Sequence, residues 1–100
     1  MADRIVRLRI TGLVQGVGFR AFVESEATRR ALRGWVRNVR ADRSVEAVIA
    51  GPGEDVGEMI VVCRHGPPGS QVADVEVLEA APADLAERRP WADFSVLPTA

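Results

Sequence analysis

Hydrophobic and polar residues alternate along the beginning of the chain. Between Arg4 and Thr11, one face of the extended pattern is uniformly apolar and consists of Val6, Leu8 and Ile10. A period of two residues is typical of a β-strand that buries one of its faces. We therefore predict a strand whose core face is formed by these three residues.

The apolar period lengthens to three or four residues after residue 18. This spacing is typical of an amphipathic α-helix, and charged residues such as Glu24 fall on or near the other side. We place the end of this helix at Gly34, because glycine is often the residue that stops a helix. The apolar positions are Phe19, Phe22, Val23, Ala27 and Ala31.

Two strands joined by a hairpin are predicted after this helix. Residues 35–39 and 45–50 both have strand patterns, and a short polar segment connects them. Because this connection contains no glycine, a two-residue turn with positive φ is disfavoured. We predict a longer turn built around Asp42.

The remaining segments predict a second helix and two more strands. Residues 54–64 have helical apolar spacing, and residues 71–79 alternate as a strand. Residues 80–90 form a connector with a helical turn near residues 84–88. Residues 94–97 then form a short terminal strand, which we place at a sheet edge.

Several single side chains can be assigned from these patterns. Cys63 falls on the apolar stripe of the second helix, so a core thiol is expected. We expect Trp35 in the core and Trp91 over a sheet edge. Arg37 and Arg40 fit equally well as surface residues or as a source of positive field near a site.

The predicted order is strand, helix, strand, strand, helix, strand, with a small strand appended. This order is typical of the α+β ferredoxin-like sandwich, a split βαβ fold (βαββαβ) with two helices on one face of an antiparallel sheet. The 100 residues, of which 47% are apolar, suit a single domain spanning residues 1–100. In this topology Arg20 and Asn38 are expected at the same rim of the sheet.

The loop before the first helix is rich in glycine. Gly12, Gly16 and Gly18 permit backbone angles that turn successive N–H groups toward one point. The following helix N-terminus is partly positive, and Arg20 can form paired hydrogen bonds with phosphate oxygens. We predict an anion cradle, with a plain structural turn as the alternative. The predicted binding residues are Gln15, Gly16, Val17, Gly18, Phe19 and Arg20.

Few groups are available to attack a phosphoryl group held in this cradle. The loop has no Cys, Ser or His nucleophile and no Walker lysine, and no carboxylate pair has metal-ligand spacing. Water remains, and Asn38 can orient it because an amide both donates and accepts hydrogen bonds. Without a general acid, the substrate needs a weakly basic leaving group, such as the carboxylate of an acyl phosphate.

Charge and cysteine content limit the partners that the protein can bind and the compartment in which we expect it. The net charge is −1, with 13 basic and 14 acidic residues, so no basic field favours nucleic acid or an anionic membrane. The single cysteine excludes an internal disulfide. The chain shows neither a signal peptide nor an apolar run long enough to span a bilayer. We expect a cytoplasmic protein with no membrane or nucleic-acid partner.

Two segments resemble the signatures of the acylphosphatase family. Residues 12–20 resemble the first signature, and residues 34–38, followed by residues 45–47 and Gly51, resemble the second. Residues 66–69 and the terminal residues 94–99 also resemble the corresponding segments of the family, so the resemblance covers nearly the whole chain.

This resemblance implies an enzyme that hydrolyses acyl phosphates to a carboxylate and phosphate without a metal ion or other cofactor. It also implies that Arg20 binds the phosphate and that Asn38 positions the attacking water. We expect a monomer whose partner is a small-molecule acyl phosphate. One departure affects Asn38: the family's usual hairpin glycine is missing, and the connection is one residue longer, which could change the hairpin register.

Two other functions stay open at this point. Acylphosphatase-like domains also occur in carbamoyl-transferring hydrogenase-maturation proteins, where such a module is non-catalytic or channels carbamoyl phosphate. The end of this chain at residue 100 favours a freestanding enzyme. A ferredoxin-like RNA-binding domain would need exposed aromatic residues on the sheet. The three Phe and two Trp residues are mostly assigned to the core, which disfavours it.

Overall fold

The computed structural model describes residues 3–89 and 92–100 of the chain. Its elements follow the predicted order, with a short 3₁₀ helix in the connector before the last strand. The elements are β1 (Asp3–Leu13), α1 (Phe19–Arg29), β2 (Arg33–Asn38), β3 (Val45–Pro52), α2 (Gly53–His65), β4 (Gln71–Glu79), the 3₁₀ helix (Pro82–Glu87) and β5 (Phe94–Val96). The predicted placement of Trp91 lies outside the described residues.

The five strands found among these residues form one sheet in the order β4-β1-β3-β2-β5. The first four strands pair antiparallel, whereas β5 runs parallel to β2. The connector after β4 therefore carries the chain from one sheet edge to the other before β5 begins. The ferredoxin-like α+β fold and the edge position of the last strand are confirmed, and the parallel pair makes the sheet mixed.

The main core lies on the helix face of the sheet, the side covered by α1 and α2. Val6, Leu8 and Ile10 are fully buried there, as their alternation predicted. Burial raises the pKa of the Cys63 thiol to about 12, as expected for a core thiol. The helices contribute Phe19, Val23 and Ala27 from α1 and Val56, Met59 and Cys63 from α2.

The open face of the sheet, opposite the helices, holds a smaller core around Trp35. This residue is fully buried, and its indole Nε1 donates to the backbone oxygen of Asp84 in the 3₁₀ helix at 2.7 Å. The guanidinium carbons of Arg7 and Arg37 lie 5.6 and 4.7 Å from its ring centroid. The prediction of a core Trp35 is confirmed, and this ring is not available for base stacking.

The predicted end of the first helix at Gly34 is wrong. Helix α1 ends at Arg29, and Ala31 takes the left-handed conformation after it, with a φ of 56°. Gly34 lies inside β2, where a Cβ atom would come within 1.8 Å of the carbonyl oxygen of Val48 on β3. The close approach of two strands, and not helix termination, therefore requires glycine at this position.

Predicted boundaries agree more closely in the second half of the chain. Strand β4 spans Gln71–Glu79, as its alternation predicted, and α2 contains the whole predicted range 54–64.

The longer of the two α-helices, α2, has 13 residues. In the part of the chain that the structure describes, no helix has the length and apolarity needed to cross a membrane.

Candidate active site

The loop between β1 and α1 presents free backbone N–H groups. Val14 anchors the loop in the core, while Gly16 and Gly18 adopt φ values of 76° and 77°, which disfavour L side chains. Gly18 is the N-cap of α1, and its carbonyl accepts the hydrogen bond from Phe22 N–H at 3.0 Å. The N–H groups between these two residues have no acceptor within the helix.

The N-terminus of α1 favours an anion. Its free N–H groups carry the positive end of the helix dipole, and its first turn contains no acidic residue. Arg20 adds a full positive charge in this turn. Arg20 is half-buried, and its guanidinium has no hydrogen-bond or ion-pair partner among the described residues, whereas that of Arg7 pairs with Glu46 and Asp84.

Asn38 ends β2 on the helix face of the sheet. It lies two residues after Val36, whose side chain belongs to the main core, so the strand's alternation places both on one side. The Oδ1 atom of Asn38 is buried and has no hydrogen-bond partner within the described ranges. An unsatisfied buried acceptor costs about 1–3 kcal/mol, so its presence requires an explanation.

Arg20 and Asn38 line the same cleft, which has a volume of 320 Å³. The cleft lies between the glycine-rich loop, the start of α1, the end of β2 and the edge strand β5. The structure thus places the two residues predicted to be catalytic at one rim of the sheet. The other lining residues are Val14, Gly16, Gly18, Phe19, Ala21, Glu24 and Val96.

Not all of the predicted binding residues line this cleft. Gln15 and Val17 are absent from its walls, and Val17 packs against the main core instead. The Nε2 atom of Gln15 donates to the backbone oxygens of Val39 and Ser44, at 3.0 and 2.9 Å. Any contribution of Gln15 or Val17 to anion binding therefore comes from their backbone N–H groups.

Four residues of the cleft wall were not predicted as site residues: Val14, Ala21, Glu24 and Val96. Glu24 was assigned to the polar side of the helix, but it lies four residues after Arg20 and lines the same wall. Helical spacing from Arg20 could have identified it. Val96 comes from β5, and no local pattern links that strand to the loop. Across residues 3–89 and 92–100, no group of three or more His, Cys, Asp or Glu side chains could hold a metal ion.

The β2–β3 hairpin contains the predicted turn around Asp42. Ser44 N–H donates to Asp42 Oδ1 at 3.0 Å, and Arg9 Nη2 donates to Oδ2 at 2.8 Å. Hydrogen bonds from Ser44, followed by the Arg9 guanidinium, lower the pKa of Asp42 to about 2. Arg43 adopts the left-handed conformation, with a φ of 59°, that glycine would otherwise supply. The side chain of Asp42 thus supports the turn without the family's usual glycine.

The fold and the cleft together define a ferredoxin-like α+β protein with a cleft at the N-terminus of its first helix. The family model for acylphosphatase matches residues 6–96 of this chain. An acylphosphatase from Bradyrhizobium diazoefficiens is 50% identical over 99 residues, which cover 99% of each chain. The chain therefore belongs to the acylphosphatase family.

Solved structures agree with this assignment. An acylphosphatase from Bacillus subtilis has a TM-score of 0.79 and 35% identity, covering 96% of this chain and 99% of that one. Full-length HypF in a phosphate- and nucleotide-bound form has a TM-score of 0.79 and 27% identity, over 98% of this chain but 12% of its own length. The activity of this chain is that of an acylphosphatase, a hydrolase of acyl phosphates.

Proposed function

We propose that Arg20 and the N–H groups of the glycine-rich loop bind the phosphoryl group, while Asn38 orients the water that attacks it. One observation supports this proposal: Asn38, whose buried Oδ1 has no hydrogen-bond partner among the described residues, lines the same cleft as Arg20, which has no ion-pair partner among them. The guanidinium is complementary to an anion, and the amide oxygen is complementary to a hydrogen-bond donor such as water.

Phosphate binding is assigned to the backbone from residue 15 to residue 20 and to the side chain of Arg20. Free N–H groups at a helix N-terminus bind phosphoryl oxygens, and a guanidinium can bind two of them together. In the loose transition state of phosphoryl transfer, charge spreads over three equatorial oxygens. Preorganised donors stabilise that charge, and the loss of one donor commonly costs about 3 kcal/mol.

Asn38 is suited to orient a water molecule but not to take its proton. Its Oδ1 can accept a hydrogen bond from the water, whereas a neutral carboxamide is not a general base. Because this oxygen is buried and has no hydrogen-bond partner in the described part of the chain, binding a water would also satisfy an otherwise costly acceptor. Orientation is sufficient because little bond forms to the nucleophile in a loose transition state.

The substrate's own leaving group completes the proposed reaction. The water oxygen forms a new bond to phosphorus, the bond between phosphorus and the acyl oxygen breaks, and the water's proton passes to the phosphate product or to solvent. The departing carboxylate is weakly basic and needs neither a proton nor a metal ion, whereas the alkoxide of a phosphomonoester needs one. We therefore propose metal-independent hydrolysis of small acyl phosphates.

We also propose that the chain acts as a single-domain monomer in the cytoplasm, without a nucleic-acid partner. The strands of the described residues belong to one sheet, which supports one domain. The only cysteine, Cys63, is buried and free, which is compatible with a reducing compartment. The net charge of −1 provides no general attraction to nucleic acid.

The decisive experiment measures hydrolysis of a simple aryl acyl phosphate in the presence of a chelator. We expect wild-type turnover to be unaffected by the chelator. We expect Asn38→Ala to remain folded and to lose at least about a hundredfold in kcat, because one transition-state contact disappears. Inorganic phosphate should still bind to this variant with an affinity close to that of the wild type, because the cradle is intact.

Three outcomes would contradict the proposal. Full activity of Asn38→Ala would remove the role of Asn38, and inhibition by the chelator would remove metal independence. A wild-type chain that binds phosphate without turnover would instead indicate a non-catalytic module. Circular dichroism of both proteins would show whether any lost activity reflects unfolding.

A further inference from the structure

Gln15 connects the two halves of the proposed site. It lies in the glycine-rich loop, but its Nε2 atom donates to the backbone oxygens of Val39 and Ser44, at 3.0 and 2.9 Å. Both partners are carbonyl oxygens, so the contacting atom must be the amide nitrogen, and both of its hydrogens are used. The side chain thus crosses from the proposed phosphate loop to the hairpin that carries Asn38.

The contacted residues close the hairpin loop next to Asn38. Val39 directly follows Asn38, and Val39 N–H donates to the Ser44 carbonyl at 2.9 Å. Ser44 is only 1% exposed, so this contact is shielded from water. The connection between Val39 and Ser44 places Arg43 at a positive φ, which L-residues rarely adopt. Gln15 therefore anchors the hairpin at a turn whose backbone conformation is unfavourable for its residues.

We infer that Gln15 is a positioning residue, which sets the place of Asn38 relative to the phosphate loop. This inference rests on the proposed function. An error of about 1 Å in the position of a reacting group can cost about a hundredfold in rate. Since Asn38 is adjacent to the anchored Val39, loss of the Gln15 contacts shifts the water-orienting group while leaving the loop N–H groups in place.

The test compares Gln15→Met, which keeps the length of the side chain but removes its donors, with Gln71→Met at the exposed start of β4. We expect Gln15→Met to lose about 10- to 100-fold in kcat, while the inhibition constant of inorganic phosphate changes by less than about twofold. Gln71→Met should match the wild type in both. An equal loss of phosphate affinity would overturn the inference, because it would place Gln15 in the cradle itself.

A double variant separates positioning from general destabilisation. If Gln15 acts through Asn38, adding Gln15→Met to Asn38→Ala causes no further loss of kcat. Independent, multiplicative losses would overturn the inference. All variants are compared as folded protein, with the folded fraction measured by chemical denaturation, so that a merely unstable variant is recognised.

Gln15→Glu provides a conservative variant with a pH-dependent donor. At neutral pH its carboxylate cannot donate to the two carbonyls, so we expect a loss similar to that of Gln15→Met. As the pH falls toward about 4.3, the carboxyl group becomes protonated and regains one donor. Its kcat relative to the wild type at the same pH should then recover in part, and a constant ratio across this range would count against positioning by hydrogen bonding.

Failure of this inference and failure of the proposed function give different results. An inactive Asn38→Ala together with a fully active Gln15→Met would remove only the role of Gln15. A fully active Asn38→Ala would remove the proposed function, and the positioning role would fall with it.

Discussion

The two faces of the sheet use arginine in different ways. On the open face, Arg7 contacts Glu46 and Asp84, and Arg37 contacts Glu46 at 2.9 Å and Glu87 at 3.1 Å. At the rim of the helix face, Arg20 has no ion-pair partner among the described residues. The half-buried cations on the open face are compensated within the protein, whereas Arg20 remains available to an anion.

Structural and functional charges can be distinguished by whether the protein itself supplies their partners. A partly buried arginine with carboxylate partners mainly stabilises packing, and around Trp35 it also covers an aromatic ring. Arg20 has no ion-pair partner among the described residues and shares its cleft with Asn38, so we propose that it gains a partner when a ligand binds. We therefore expect arginine to contribute to stability on the open face and to activity at the rim of the helix face.

The largest effect is expected at the unpaired arginine. Arg20→Ala should lower kcat/KM roughly a hundredfold, because the transition state loses a charged donor. This factor corresponds to a loss of about 3 kcal/mol in transition-state stabilisation. The variant's free energy of unfolding should change by less than about 0.5 kcal/mol, since no hydrogen bond or ion pair to a described residue is lost. Kinetics and urea unfolding check these values. Arg64→Ala, at an exposed position of α2, is the matched control and should alter neither.

The opposite result is expected at the paired arginine. Arg7→Met should lower the free energy of unfolding by about 1–2 kcal/mol, because Asp84 loses its arginine and Glu46 keeps only Arg37. The kcat of the folded variant should stay within about twofold of the wild type. If Arg7→Met lost activity without losing stability, the distinction between the two faces would be wrong.

A smaller, pH-dependent effect is expected at the hairpin turn. The pKa of Asp42 is lowered to about 2, so this carboxylate adds stability above its unfolded-state pKa of about 3.9. That contribution is lost as the pH falls through the folded-state value. The melting temperature of the wild type should therefore exceed that of Asp42→Asn at pH 6, and the gap should narrow between about pH 4 and pH 2. A gap that is constant with pH would show that ionisation of Asp42 does not matter.

The smallest effect is expected at Glu24, the carboxylate that shares the cleft wall with Arg20. Since the proposed reaction needs no general base, Glu24→Gln should change kcat by less than about twofold. The pH dependence of kcat/KM should also keep its shape. A loss of a hundredfold, or the disappearance of a basic limb from the pH profile, would instead identify Glu24 as the base and reduce the role of Asn38.

Much of the fold could be predicted because its determinants are local. The alternation in β1 and the helical spacing in α2 identify core faces directly, and burial confirms both. The turn around Asp42 was also predictable, since its key hydrogen bond spans two residues. In contrast, the role of Gly34 depends on β3 passing close by, and a local rule for helix ends assigned it wrongly.

The cleft was predictable only in part. Gly16, Gly18, Phe19 and Arg20 lie close together in sequence, and the topology of the fold brings Asn38 to the same rim. The Gln15 side chain, however, reaches acceptors that are 24 and 29 residues away in sequence. Such a contact depends on tertiary structure that no pattern around residue 15 contains. Val96 was not predicted for the same reason, because the parallel pairing of β5 with β2 determines its position.

The buried Cys63 also gives the chain a chemical reporter of its own unfolding. A thiol with a pKa near 12 is almost entirely protonated at neutral pH, and reagents such as maleimides react with the thiolate. The thiol is also inaccessible inside the core formed by the sheet and α2. Because the chain has no other cysteine, its rate of labelling measures how often that core opens. Opening of the core can therefore be followed without introducing a probe.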